Sequence, residues 1–173
     1  MAQVLNAPRD ELYSVTDWKA GAWAGVIAGL VFLMLEMILV WMAQGQSPWG
    51  PPHMMAAMVL GKDVLPPMGT WAPMDLKIVM IAMVIHFPLS IAYGLIGAWL
   101  MHRLSWAGGL MVGAGLGLAI YIVNFYVIAP MAFPWFEMGR NWIGAFSHIM
   151  FGAVLGAAYI GLRKPKASGE HGR

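Results

Sequence analysis

The sequence predicts an all-α membrane protein: a four-helix transmembrane bundle made of two parallel two-helix repeats, plus a short interfacial or re-entrant helix in the first outer loop. Of its 173 residues, 60% are hydrophobic and 10% are charged, whereas soluble domains carry roughly 25% charged residues. Four apolar runs are each long enough to cross a bilayer. The two halves of the chain also share a pattern of tryptophan, glycine and histidine.

The first span is predicted over residues 20–43, after a polar segment, 1–19, that does not read as a removable signal peptide. We therefore expect this span to be retained. It contains one charged residue, Glu36, well inside the apolar run. An acid in hydrocarbon is costly and needs a partner or a polar cavity, so the surroundings of Glu36 are the main question that the sequence poses.

The loop after the first span contains a short predicted helix at about 52–60, with Pro51 in its first turn. A helix of about nine residues cannot cross a bilayer, so it is expected to lie at the interface or to enter the membrane partway. His53 on this helix is expected to be exposed.

Three further apolar runs predict the remaining spans, at residues 76–100, 107–129 and 142–162. A polar tail, 163–173, follows the last span. Glu137 and Arg140, three residues apart in the last outer loop, predict an exposed ion pair.

Lysine and arginine residues predict the orientation, because they concentrate on the cytoplasmic side of membrane proteins. The two ends of the chain and the turn at 101–105 hold seven of them, and the other two loops hold three. Both termini are therefore expected in the cytoplasm, with the protein in a bacterial inner membrane. The seven are Arg9, Lys19, Arg103, Arg163, Lys164, Lys166 and Arg173.

An internal repeat relates the two halves of the chain. At an offset of 88 residues, Trp18 aligns with Trp106, three glycines follow in register, and Glu36 falls on Asn124. At an offset of 62, His86 aligns with His148. Each half contributes two spans, so the halves insert the same way up, as parallel repeats. Close helix packing also explains the spacing of the glycines.

Each span carries one strongly polar residue, and the four lie at a similar depth. Glu36 follows Lys19 by 17 residues and His86 precedes Arg103 by 17, each roughly 25 Å at about 1.5 Å per residue. The spacings for Asn124 and His148 are similar. The sequence therefore predicts a polar cluster in the outer third of the membrane, formed by Glu36, Asn124, His86, His148 and Ser90.

Three interpretations of this polar cluster stay open. It can be a hydrogen-bonded group that fixes helix packing. It can hold a cofactor or metal: haem b between His86 and His148, or a transition metal bound by Glu36, His86 and His148. It can also carry protons or ions, with Glu36 and the histidines titrating during transport.

The segment SPWGPPHMMAAMVLGKDVLPP, residues 47–67, together with the span containing His86, resembles a family of small four-span bacterial membrane proteins. Some of its members carry a sodium:proline symporter label. The resemblance covers residues 18–162 and implies a four-span fold, but it supplies no site residues. Four helices are too few for a symporter of that kind, so the label is not transferred to this chain.

These observations favour a non-enzymatic membrane subunit that binds a cofactor or metal in its core. A proton- or ion-coupled small transporter and a structural or assembly subunit of a larger membrane (respiratory) complex are the alternatives. The chain has no motif typical of enzymes, and its lack of cysteine excludes thiolate sites. A net charge of +2 gives no basic surface for nucleic acid. The expected partners are the lipid bilayer and either further copies of the chain or a larger membrane complex.

Overall fold

The computed structural model describes residues 9–165, and every regular element within that range is helical. This confirms the predicted all-α class. Short 3₁₀ turns lie at Lys62–Val64 and Pro134–Gly139, and a π-helical turn follows α5 at Val123–Ile128. The α-helices are α1 (Arg9–Leu12), α2 (Trp18–Gln44), α3 (Gly50–Leu60), α4 (Leu76–Met101), α5 (Trp106–Ile122), α6 (Ala129–Ala132) and α7 (Trp142–Leu162).

Four helical segments of the described chain are long and apolar enough to cross a membrane. Three of them are α2, α4 and α7, and the fourth combines α5, the π-helical turn and α6 into one helix, Trp106–Ala132. They correspond to the four predicted spans and support an integral membrane protein. Segments 1–8 and 166–173 lie outside the described residues, and with them part of the predicted N-terminal segment and tail.

Each long helix begins at a polar residue that caps its first turn. Asp17 accepts a hydrogen bond from the amide of Ala20, and Asp75 accepts two, from Lys77 and Ile78. Ser105 caps α5 and Asn141 caps α7 in the same manner. These side chains bond to amides that have no partner within the helix, so the sequence itself marks where the spans start.

Helix α7 is the most enclosed of the four spans. It packs most extensively against α5 and also against α2, while α2 packs in turn along α4. Helices α4 and α5 pack against each other much less than α2 and α7 do. The bundle is therefore tight on three sides and more loosely packed between α4 and α5.

Glycine allows the closest helix crossings. A Cβ added at Gly25 would overlap the backbone carbonyl of Ser90 on α4, and one added at Gly113 would overlap that of Gly152 on α7. Small residues permit this backbone approach in membranes, where van der Waals packing holds helices together. The crossings place α2 against α4 and α5 against α7, the two helix pairs named from the sequence.

The bundle end where α2 begins and α7 ends is closed by Arg163 and Asp17. The buried Arg163 guanidinium donates to the backbone carbonyls of Met101, His102 and Leu104 at the end of α4. The amide of Lys164 donates to Asp17 Oδ2 at 3.2 Å. The start of α2 and the end of α7 therefore lie side by side, at what we call the near end of the bundle. The opposite end is the far end.

At the far end, α3 packs against α4. The Trp135 indole donates to the carbonyl of Met54 at 2.9 Å and so joins α3 to the last loop. The prediction that His53 is exposed is wrong: it is buried, and its Nδ1 donates to the carbonyl of Trp49 at 2.9 Å. A position on a short helix in a loop suggested exposure, but α3 turns this residue inward.

Candidate functional site

The four predicted polar residues lie on four different segments. Glu36 is on α2, His86 on α4, Asn124 in the π-helical turn after α5, and His148 on α7. An aromatic ring links the two histidines. The Phe32 ring, one turn before Glu36, stacks on His86 with ring centroids 5.7 Å apart and meets His148 edge to face at 4.8 Å.

His86 is buried at the crossing of α2 and α4. Its Nε2 lies 2.9 Å from the carbonyl oxygen of Gly29 and 3.3 Å from Ser90 Oγ. Since a carbonyl can only accept, Nε2 carries the proton in this bond. A Cβ at Gly29 would come within 2.6 Å of Ser90 Oγ and 3.2 Å of His86 Nε2, so glycine at this position makes room for the imidazole.

His148 is also buried, within a cage of aromatic rings. Its Nδ1 donates to the carbonyl of Gly144, one turn earlier in α7, at 2.7 Å. Besides Phe32, the rings of Tyr121 and Phe125 pack against the imidazole with centroids 5.6 and 5.5 Å away. The Phe32 ring contacts both imidazoles. Each uses one ring nitrogen to satisfy a backbone carbonyl.

Glu36 is half-buried, and its carboxyl group lies beside the Ser147 hydroxyl of α7. The approach to Ser147 does not reach normal hydrogen-bond geometry: Glu36 Oε2 and Ser147 Oγ are both buried without a hydrogen-bond partner in residues 9–165. Buried polar atoms are nearly always paired in proteins, so two adjacent unpaired oxygens distinguish this position.

Asn124 is joined to Tyr93 of α4 and not to Glu36. The Tyr93 hydroxyl donates to Asn124 Oδ1 at 3.5 Å, which is a long hydrogen bond. It bridges the loosely packed side of the bundle, between α4 and the end of α5. The predicted cluster is therefore extended: His86 with Ser90, His148 within its aromatic cage, Glu36 with Ser147, and Asn124 with Tyr93.

The geometry of the site gives no support to the predicted haem or metal binding, which stays a prediction. Phe32 packs against both His86 and His148, so a haem held between the two imidazoles would have to displace this ring. Within the described part of the chain, no three histidine, aspartate or glutamate residues lie together as a metal-ligand group. This geometry therefore gives no support to a single metal ion bound jointly by Glu36, His86 and His148.

Several residues of the site were not selected from the sequence. Ser147 directly precedes His148, and Phe32 lies one turn before Glu36, so helical spacing alone could have suggested both. Tyr121 and Phe125 gave no comparable signal, because they are two aromatic residues among many. The predicted Glu137–Arg140 ion pair is confirmed, with Arg140 Nη2 3.4 Å from Glu137 Oε1.

Together, the fold and the site define a small helical membrane protein with ionisable groups buried among aromatic rings near its far end. No protein-family model, curated protein or solved structure matches the chain.

Proposed function

We propose that the protein is a proton- or ion-coupled small transporter in which Glu36 binds the ion. The supporting observation is the Glu36 Oε2 atom, which is buried inside a membrane-spanning segment without a hydrogen-bond partner in residues 9–165. Ionisable residues within membrane spans often mark ion and proton pathways. A bound proton or cation would supply the interaction that this oxygen lacks.

The surroundings of Glu36 favour ion binding over a purely structural role. A structural carboxyl group inside a bundle normally lies in an ion pair or accepts several hydrogen bonds. Among the described residues, the ion pair joins Arg140 to Glu137 and does not include Glu36. The neighbouring Ser147 hydroxyl can donate to a carboxylate and accept from a carboxylic acid. The site therefore has a group suited to each protonation state.

Charge movement on solid-supported membranes tests this proposal without knowledge of the transported substrate. A step in pH or in Na⁺ concentration should produce a transient current with the wild-type protein. Glu36→Gln should abolish the current, because the amide keeps the shape of the side chain but cannot take up a proton or balance a cation. Asp63→Asn is the matched control, since this acid is exposed in the loop after α3, and it should leave the current unchanged.

Two results would contradict the proposal: a wild-type protein that gives no current above protein-free membranes, or a Glu36→Gln variant that keeps the wild-type current. An absorption spectrum and metal analysis of the same preparation test the cofactor-binding alternative. A Soret band lost in His86→Ala and His148→Ala would establish a haem despite the position of Phe32. Co-purification with a larger complex, insensitive to changes at Glu36, would favour the structural role.

We further propose that the two helix pairs are parallel repeats. Gly25 packs on Ser90 and Gly113 on Gly152, and these contacts fall at positions that the 88- and 62-residue offsets equate. Gly29 likewise approaches the imidazole of His86, and its counterpart Gly117 approaches the backbone of His148. We also propose that both termini lie in the cytoplasm of a bacterium, with the protein in its inner membrane, because lysine and arginine concentrate on that side. The apolar surface of the bundle supports assembly with further subunits.

A further inference from the structure

The π-helical turn at the end of α5 leaves backbone carbonyls without helix partners. In this turn the amide of Ala129 bonds to the carbonyl of Asn124, five residues back. The next residue, Pro130, has no N–H to continue the pattern. The carbonyl of Phe125, five residues before Pro130, therefore needs another donor, because an unsatisfied carbonyl at membrane depth is costly.

Arg140 supplies that donor from the loop before α7. Its Nε donates to the Phe125 carbonyl at 2.8 Å, and its guanidinium carbon lies 5.1 Å from the centre of the Tyr126 ring. A second nitrogen of the same group, Nη2, pairs with Glu137 at 3.4 Å. One arginine therefore fixes the π-helical turn through its backbone and through a neighbouring ring.

The Phe125 side chain extends this contact to the polar site. Its ring lies 5.1 Å from the Tyr121 ring and 5.5 Å from His148, both measured between centroids. On its other side the ring fits against Gly139, where an added Cβ would overlap the ring atoms. The loop at Gly139, the Phe125 ring and the Tyr121 ring thus form a continuous row of contacts that reaches His148, the residue next to Ser147.

We infer that Arg140 and Phe125 form a gate at the far end, closed in this structure, that controls access to Glu36. When Arg140 leaves the Phe125 carbonyl, the π-helical turn loses its outside donor and the Phe125 ring is released from His148. The path to Ser147 and Glu36 then opens. Arg140 acts through Phe125 and is a positioning residue. The purpose of the gate rests on the proposed ion-binding function of Glu36, but its existence can be tested separately.

Thiol labelling measures the gate directly, because the chain has no cysteine of its own. A Ser147→Cys variant in lipid nanodiscs, which expose both membrane faces, is treated with a charged maleimide. Labelling should be slow with Arg140 present. Arg140→Gln should accelerate it by about tenfold or more, since hydrogen bonds from charged donors are among the stronger ones in proteins. Gly139→Ala should accelerate it as well, because the new methyl group displaces the Phe125 ring while Arg140 stays intact.

Matched changes elsewhere provide the controls. Arg103→Gln removes an exposed arginine at the near end, and Gly115→Ala adds a methyl group where no atom lies within 4 Å. Neither should change the rate. A Ser90→Cys variant, buried beside His86, distinguishes gate opening from unfolding and should stay slow. Equal acceleration at positions 147 and 90, or at neither, would overturn the gate. If Arg140→Gln accelerates labelling as expected but the wild-type protein gives no current, the ion-binding function alone is overturned and the gate stands.

Discussion

Arg163 was counted from the sequence as one of several basic residues near the membrane surface, yet it is buried. It donates to three carbonyls at the end of α4 and stacks on the Tyr13 ring, with 4.0 Å from the guanidinium carbon to the ring centroid. The last carbonyls of a helix have no partner within it, and a planar guanidinium with several donors can satisfy more than one. A cation at this helix end also interacts favourably with the helix dipole.

Arg163→Lys should therefore destabilise the protein although the charge is kept. An ammonium group cannot reproduce the forked geometry of arginine, and the loss of one or two charge-assisted hydrogen bonds costs about 1–3 kcal/mol. Thermal unfolding of the purified protein in detergent measures the change. Arg103→Lys is the control: this residue is exposed and bonds to the adjacent His102 side chain. Equal shifts in the two variants would show that Arg163 contributes charge alone.

Among helices, the contact between α5 and α7 depends on glycines along one side of α5. Gly109, Gly113 and Gly117 are buried against α7, whereas Gly115 on the same helix is exposed. A methyl group at Gly117 would overlap the carbonyl group of His148, which cannot move without the helix. The crossing therefore fixes both the distance between the helices and the position of the His148 imidazole.

Two alanine substitutions on α5 should consequently have opposite effects. Gly117→Ala should cost about 1–3 kcal/mol, as overpacking of a tight core does. Gly115→Ala should stabilise by about 0.5–1 kcal/mol, because alanine favours the helix more than glycine does and the added Cβ meets no atom within 4 Å. Unfolding in mixed micelles measures both. A stabilising or neutral Gly117→Ala would contradict the crossing as described.

The helices themselves were largely predictable, because run length and capping residues such as Asp75 and Asn141 mark the spans. Which side of each helix faces inward was less predictable. In a soluble protein the polar side identifies the surface, but lipid also favours apolar residues, so α2 and α5 are apolar on all sides. Tyr121 and Phe125 were therefore indistinguishable from lipid-facing residues in the sequence. The π-helical turn is a further case, since Pro130 indicates a disturbed helix but not which carbonyl Arg140 binds.

At the scale of the whole molecule, the polar residues are linked through their neighbours, and their common depth stays a prediction. Phe32 contacts both His86 and His148, and Glu36 lies beside Ser147, the residue before His148. Direct contacts among Glu36, His86 and His148 were not a necessary result of similar depth, because each helix can rotate about its axis at a fixed depth. Depth follows from counting residues along the sequence. Rotation is decided by packing, here above all by the glycine crossings.

The orientation of the whole molecule is the remaining prediction. The bond between Lys164 and Asp17 places the start of α2 and the end of α7 together at the near end of the bundle, and the excess of lysine and arginine in the sequence segments on that side predicts a cytoplasmic location. Single cysteines in the cysteine-free chain test this in intact bacterial cells. Met68→Cys, at a position 90% exposed in the loop between α3 and α4, should react with an impermeant maleimide added outside.

Val15→Cys, in the segment before α2, is the matched position at the near end and is also exposed. It should react only after the cells are permeabilised, because the reagent cannot cross the inner membrane. The reverse pattern would show that the charge distribution does not set the orientation, and the far-end gate would then open toward the cytoplasm. Labelling of both positions in intact cells would mean that the two bundle ends do not lie on opposite sides of one membrane. The four-span arrangement itself would then have to be abandoned.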